Sequence, residues 1–268
     1  MGGDLPARTV GIDLAGSYKR TAVCQVDWLP GEVRIEFPED CEDPALVALL
    51  VDNIRAGHWI GIDCPLGWPV DFVDTVVAHN TRAALPSPSA LIRRSGHKVL
   101  NPLLYRMTDE VIWNLTGSRP PLSVAANLLG VVALRCARIL AAVERECGRP
   151  IDRAGGPVVE VYPAATLRTW QLTGRDSYKR PQARPARRAI LELLQQALGV
   201  RFAAEVAERC LVSHDSLDAL LAAFATRAAA LDRTHLPESG TETERAAVEG
   251  WIHLPACSPR ELLECITG

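Results

Sequence analysis

Hydrophobic and polar positions alternate with two different periods along this chain, and the periods divide it into strands and helices. Thr9 to Leu14 is a short apolar run, rich in β-branched residues and bounded by Gly16-Ser17; that pattern reads as a buried strand ending in a tight turn. Arg20 to Trp28 alternates, with Thr21, Val23 and Gln25 set against Ala22, Cys24 and Val26, and reads as a second strand. Pro30-Gly31 turns the chain into a third strand, Val33 to Phe37, completing an antiparallel meander. Pro44 to Arg55 carries Leu46, Leu49, Leu50 and Ile54 at helical spacing, with Pro44 at the first helical position and Gly57 past the end. Trp59 to Asp63 is the fourth strand.

Beyond Asp63 the spacing loosens. Pro65 to Pro69 reads as a rigid turn, and Pro69–Asn80 and Tyr105–Leu115 as helices. Leu85–Val99 reads as a mobile basic loop carrying Arg93, Arg94 and Lys98. Leu122–Cys147 reads as a long apolar helix and Pro157–Tyr162 as a fifth strand. Helices are expected over Ala186–Leu198, Arg201–Cys210 and Ser213–Asp232, a loop over Pro237–Thr243, and an extended piece over Gly250–Pro255. Residues 1–8 read as a disordered leader, residues 9–268 as one domain without internal repeats, and 65–156 as an insertion within it.

Composition narrows the function classes. With 48% hydrophobic and 23% charged residues in 268, the chain has ample core for a globular domain. A net charge of −3 argues against a protein that permanently coats nucleic acid, but allows an enzyme that touches it transiently. No apolar run approaches the roughly 18 residues of a membrane span, and there is no signal segment. The eight cysteines form no Cys-x-x-Cys and no close Cys/His pair, so they read as reduced thiols of a cytoplasmic protein without structural zinc.

Three apolar strands carry an acid at or near their C-terminal end: Asp13, Asp63 and Glu160. A carboxylate at the end of an apolar strand is costly unless paired, and ligand sites in open α/β sheets lie beyond the carboxyl ends of the strands. Ser213-His214-Asp215-Ser216-Leu217-Asp218 opens the last long helix, with Ser213 as N-cap and Asp215 and Asp218 one turn apart on one face. Asp215 also suits the positive end of a helix dipole; Asp218, among Leu217, Leu220 and Leu221, has no such ordinary reason to be there. Three antiparallel strands, a helix, an acid-ended strand, a further strand and a late acid-bearing helix assemble into an α/β fold. Its expected form is a ribonuclease-H-like mixed five-stranded sheet flanked by helices, with a helical insertion between the fourth and fifth strands. The first and fourth strands are neighbours there, so Asp13 and Asp63 should meet. Clustered carboxylates raise one another's pKa values, and Mg²⁺ or Mn²⁺ relieves this through oxygen ligands.

Several ordered motifs run along the chain: Gly11-Ile12-Asp13, Ile62-Asp63-x-Pro65-Leu66-Gly67-x-Pro69, Arg106-x-x-Asp109, Glu160-Val161-Tyr162-Pro163-Ala164-Ala165, Tyr178-Lys179, Asp215-x-x-Asp218-Ala219 and Glu249-Gly250-Trp251-Ile252-x-x-Pro255. As a set, over about residues 9 to 255, they resemble the bacterial and archaeal domain of unknown function numbered 429, described as a predicted nuclease family of ribonuclease H fold. His214-Asp215-x-x-Asp218-Ala219 is also similar to the last-helix motif of Holliday-junction resolvases, which carry Glu where this chain has Asp63. The resemblance implies a metal-dependent phosphodiester hydrolase acting on DNA or RNA. Asp13, Asp63, Asp215 and Asp218 would be its metal ligands, and Glu160 would complete the shell or orient a ligand's hydroxyl; its ordinary alternative is a buried acid paired with Arg or Lys.

Arg106 and Asp109, three apart on a helix, make a surface ion pair by default; the resemblance gives them a substrate role, with Arg106 holding a phosphate. Lys179 lies in a basic run with Arg175, Arg180, Arg184, Arg187 and Arg188 and is expected to reach a phosphate backbone. Two other functions compete. A phosphotransferase or ATPase of the actin-like type would use Ala15-Gly16-Ser17 as a phosphate turn, but no duplicated second domain follows. A non-catalytic scaffold would keep the fold without the chemistry.

Overall fold

The computed structural model describes residues 6–29, 32–85, 93–95, 98–117, 121–126, 129–172 and 177–266. Its centre is a mixed sheet of strands β1 (Arg8–Asp13), β2 (Ala22–Leu29), β3 (Glu32–Glu36), β4 (Trp59–Asp63) and β7 (Val158–Glu160) in the order β3-β2-β1-β4-β7. β1 pairs antiparallel with β2 and parallel with β4, which pairs parallel with β7. This α/β order is compatible with a ribonuclease-H-like arrangement.

Side-chain parity sends alternate residues of each strand to opposite faces. Val10, Ile12, Ile60 and Ile62 face α1 (Asp43–Arg55) and α4 (Leu129–Cys147), whose Leu46, Leu50, Ile54, Cys136, Ile139 and Val143 complete that core. The other face is covered by α8 (His214–Ala230), the most deeply buried helix. Behind α8 lie α5 (Pro163–Thr169), α6 (Arg184–Leu198) and α7 (Ala204–Val212). α4 therefore belongs to the core, although it lies within the stretch expected to be an insertion.

The approach of α8 to the sheet explains the repeated Gly-Ile-Asp. Gly11 and Gly61 stand on the face of Asp13 and Asp63, two residues earlier on the same strands. A Cβ at Gly11 would fall inside the backbone of Ala219 and Ala223, and one at Gly61 would strike Thr226 Oγ1. Ala219, Ala222 and Ala223 present almost nothing but backbone to these glycines, so the helix lies close and its second turn reaches the strand ends. Thr9 on the same face donates to the Ala223 carbonyl at 2.9 Å and accepts from Trp28 Nε1 at 2.9 Å. Gly11→Ala is expected to cost about 3 kcal/mol, the upper end for overpacking, because backbone rather than a side-chain tip must give way; chemical denaturation of the variant beside wild type measures it.

Several expectations change. Pro6 and Arg8 are not leader: the Pro6 carbonyl accepts from buried Arg227 at 2.8 Å, and Arg8 opens β1. Residues 1–5 and the Pro30-Gly31 turn lie outside the described residues, as do 86–92 and 96–97 of the basic loop. The described part of that loop forms a two-stranded ladder, β5 (Arg93–Ser95) with β6 (Lys98–Leu100). α2 (Val70–Thr81) and α3 (Met107–Thr116) form as expected. The long helix begins at Leu129, not Leu122.

Among the described residues, two α-helices were not expected. α5 starts at Pro163, and α9 (Gly240–Glu249) replaces most of the expected loop. The signal for α9 was present: Ser239 caps it by accepting from the Glu242 amide, and Glu242 reaches back to the Glu238 amide. The described cysteines are free thiols, most of them buried. Among the described residues no helix is long and apolar enough to cross a membrane.

Candidate functional site

Parallel pairing places Asp13 directly beside Asp63 at the carboxyl ends of β1 and β4. α8 descends over Gly11 and Gly61 and brings Asp218 to the same point. Asp13, Asp63 and Asp218 each offer a carboxylate oxygen, and these oxygens all lie within 4.8 Å of one another. Asp13 and Asp63 are half-buried and Asp218 is fully buried. Burial first, then the neighbouring Asp63 and Asp218, push the Asp13 carboxyl well above its ordinary range. Asp63 rises to about 7: burial raises it most, Lys179 pulls against that, and Asp218 and Glu160 add to it.

The third acid is gripped from outside. Tyr178 donates its hydroxyl to Asp218 Oδ1 at 2.7 Å, and Lys179 Nζ lies 2.8 Å from Asp218 Oδ2. Burial opposes the ammonium charge, but Asp218 and Asp63 outweigh it and raise the Lys179 pKa. The turn carrying both residues is pinned by Arg187, itself buried. Its guanidinium donates to the carbonyls of Tyr178, Arg180, Pro181 and Leu211. The basic run is thus not a uniform solvated patch: Arg187 is structural, Arg184 pairs with Glu208 at 2.6 Å, and Lys179 turns inward. Arg175 lies outside the described residues.

Asp215 is not in the cluster. It lies 3.0 Å from His214 Nδ1 and lines a groove of about 1100 Å³ between β3 and α7, with Tyr18, Arg20, Phe37 and Arg209 along its walls. Glu160 is not in it either, and parity is the reason: its partner across β4 and β7 is Ile62, not Asp63, so it points to the opposite face.

Glu160 instead joins Arg106 and Asp109 in a buried knot. Arg106 donates to both Glu160 oxygens at 2.7 Å, to both Asp109 oxygens at 2.9 and 3.2 Å, and to the Glu249 carbonyl at 3.1 Å. All five guanidinium N–H donors are thereby committed, and the side chain is 2% exposed. The geometry corrects the phosphate-binding expectation for Arg106 and Asp109: this is an internal strut with no donor left for a substrate.

The knot reaches back to the site. Glu160 Oε2 accepts from the Leu66 amide at 3.0 Å, three residues past Asp63. Glu249, missed as a key residue from the sequence, accepts from the Val70 amide at 3.0 Å and the Met107 amide at 2.8 Å, so one buried carboxylate caps α2 and α3 together. The ordered motifs at 62–69, 106–109, 160–165 and 249–255 therefore build the ground behind Asp63.

Three carboxylates with no nitrogen or sulfur donor suit a hard, oxygen-seeking cation such as Mg²⁺ or Mn²⁺. Asp13, Asp63 and Asp218 are the residues that would hold it. No curated protein and no solved structure matches the chain. The family described as "Protein of unknown function (DUF429)" matches residues 11–242, a span that runs from within β1 past the end of α8 and takes in all three converging acids, and the chain belongs to that family.

Proposed function

We propose that the protein is a metal-dependent phosphodiester hydrolase, a nuclease using Mg²⁺ or Mn²⁺ at Asp13, Asp63 and Asp218. The observation that carries this reading is the convergence of three carboxylates from β1, β4 and α8 on one point at the carboxyl edge of the sheet. Asp13 and Asp63 supply oxygen ligands from rigid strand ends. Asp218 supplies a third, its orientation set by the Tyr178 hydroxyl. Lys179, half exposed at the rim, stands where a substrate phosphate would meet a point charge. The chemistry that a divalent ion would supply there is a water of lowered pKa and neutralisation of charge on the leaving oxygen. An actin-like phosphate turn has less support: the Ala15 amide already donates to Thr21 Oγ1, and Arg135 ties down the Ala15 carbonyl.

The test is a panel of linear and branched DNA and RNA, together with free nucleotides, incubated with Mg²⁺, Mn²⁺ or a chelator, wild type beside Asp13→Asn. Cleavage of a nucleic acid with metal, absent with chelator and absent in the variant, is the expected result. Turnover of nucleotides alone would transfer the case to the phosphotransferase reading, and metal-independent cleavage would remove the acids from the mechanism.

A further inference from the structure

We infer that Lys179 is the resident cation of the acidic site: its ammonium holds the charge position that a divalent ion takes, and the ion must evict it to bind. This deepens the metal-site reading above and rests on it. Lys179 Nζ lies 2.8 Å from Asp218 Oδ2, and its charge acts also on Asp63 and Asp13. An ammonium has three donors and no acceptor, so among acids it serves as a counter-ion, and one that competes directly with a metal for the same oxygen.

The arrangement is built rather than incidental. Buried Arg187 fixes the turn from Tyr178 to Pro181 through three of its carbonyls and ties it to α7 through the Leu211 carbonyl. Tyr178, buried, holds Asp218 Oδ1 whatever happens at Oδ2. The two neighbouring residues therefore divide the work. The tyrosine is a fixed positioning residue, and the lysine, with a side chain 46% exposed, can swing outward on its flexible stem without moving the turn or the acid.

The consequence is a coupling between metal and substrate. With no substrate, a divalent ion displaces Lys179 into water and loses the ion pair. With a phosphodiester present, the displaced ammonium finds a phosphate oxygen, and the ion finds an additional oxygen ligand. Metal and anionic substrate then favour one another's binding, and the site binds metal more weakly until a phosphate arrives.

The test is Mn²⁺ titration of the full chain without substrate, by calorimetry at pH 7.5, for wild type, Lys179→Met, Lys179→Gln and Lys179→Arg, with folding checked by circular dichroism. Both neutral variants are expected to bind Mn²⁺ at least tenfold more tightly than wild type, and Lys179→Arg, which keeps the charge, to stay near wild type. Equal affinity in wild type and the neutral variants overturns the inference while leaving the metal site standing. Absence of Mn²⁺ binding in every variant overturns both. Tighter binding without nuclease activity on any substrate upholds the inference and overturns only the choice of substrate.

Discussion

Arg106→Met is expected to destabilise the protein by about 3–5 kcal/mol, the cost of removing one partner from a buried ion pair. Methionine fills much of the same volume, so the loss reports charge and hydrogen bonding rather than a cavity. The variant leaves the carboxylates of Asp109 and Glu160, at 1% and 2% exposure, without their counter-charge. In a chain of this size such a loss lowers the melting temperature by roughly 10 °C or more, measurable by thermal circular dichroism at pH 7.5. The surface pair Arg184–Glu208, 45% and 54% exposed, is the control: its removal should cost no more than about 1 kcal/mol. A near-wild-type melt for Arg106→Met would show that the knot does not hold the Pro65–Pro69 turn and α3 together. Because Glu160 also accepts from the Leu66 amide, metal binding at Asp63 should weaken in the same variant even where it remains folded.

That knot marks the boundary of what the sequence disclosed. The meander, the fourth strand and the late helix were legible because their periods are unbroken, and adjacency of the first and fourth strands follows from the assembled order. From this the meeting of Asp13 and Asp63 followed, and Asp218 stood out as an acid among leucines. The sequence leaves Glu160 open between an acid of the metal shell and a buried acid paired with Arg or Lys, and the pairing with Arg106 is what the structure shows. The side of Glu160 is decided by a register in which Ile62, not Asp63, lies opposite it, and an acid near a strand end looks the same on either face. Arg106 and Asp109 at i and i+3 read as a surface pair because helical spacing alone says nothing about what packs over them; here Glu249 and Gly250, more than 140 positions later, cover them. Asp215 matched the last-helix motif by spacing, yet it turns toward the groove beside Arg209, while Asp218 turns to the sheet. The glycines of Gly-Ile-Asp carried a message readable only once a helix lay on them: they are absent side chains that let Asp218 in.

Asp63→Asn is expected to lose activity and gain stability together. At neutral pH and without a cation, the folded protein holds a carboxyl whose pKa has been raised from its ordinary 3.8 to about 7, first by burial and then by Asp218 and Glu160 against the pull of Lys179. The folded state therefore keeps a proton across roughly pH 4 to 7 that the unfolded chain has already released. Below that window both states are protonated and the group contributes no difference. As pH rises through it, stability falls, and above it the ionised, buried carboxylate costs on the order of 4 kcal/mol at about 1.4 kcal/mol per pH unit. Asparagine carries no charge at any pH and escapes this penalty. The variant should melt several degrees above wild type at pH 8, and the two curves should converge toward pH 4. Adding Mg²⁺ or Mn²⁺ at pH 8 should raise the wild-type melt and leave the variant nearly unmoved, since bound metal offsets the same repulsion. Phosphodiester cleavage should fall at least about a hundredfold, beyond the ten- to hundredfold typical of changes behind a metal ligand. Melts from pH 4 to 8 with and without metal, beside an activity assay, measure both arms. A variant less stable than wild type at pH 8 would mean that Asp63 is held as a favourable ion-pair partner of Lys179 rather than as a strained acid waiting for a cation, and the trade between function and stability at this site would not exist.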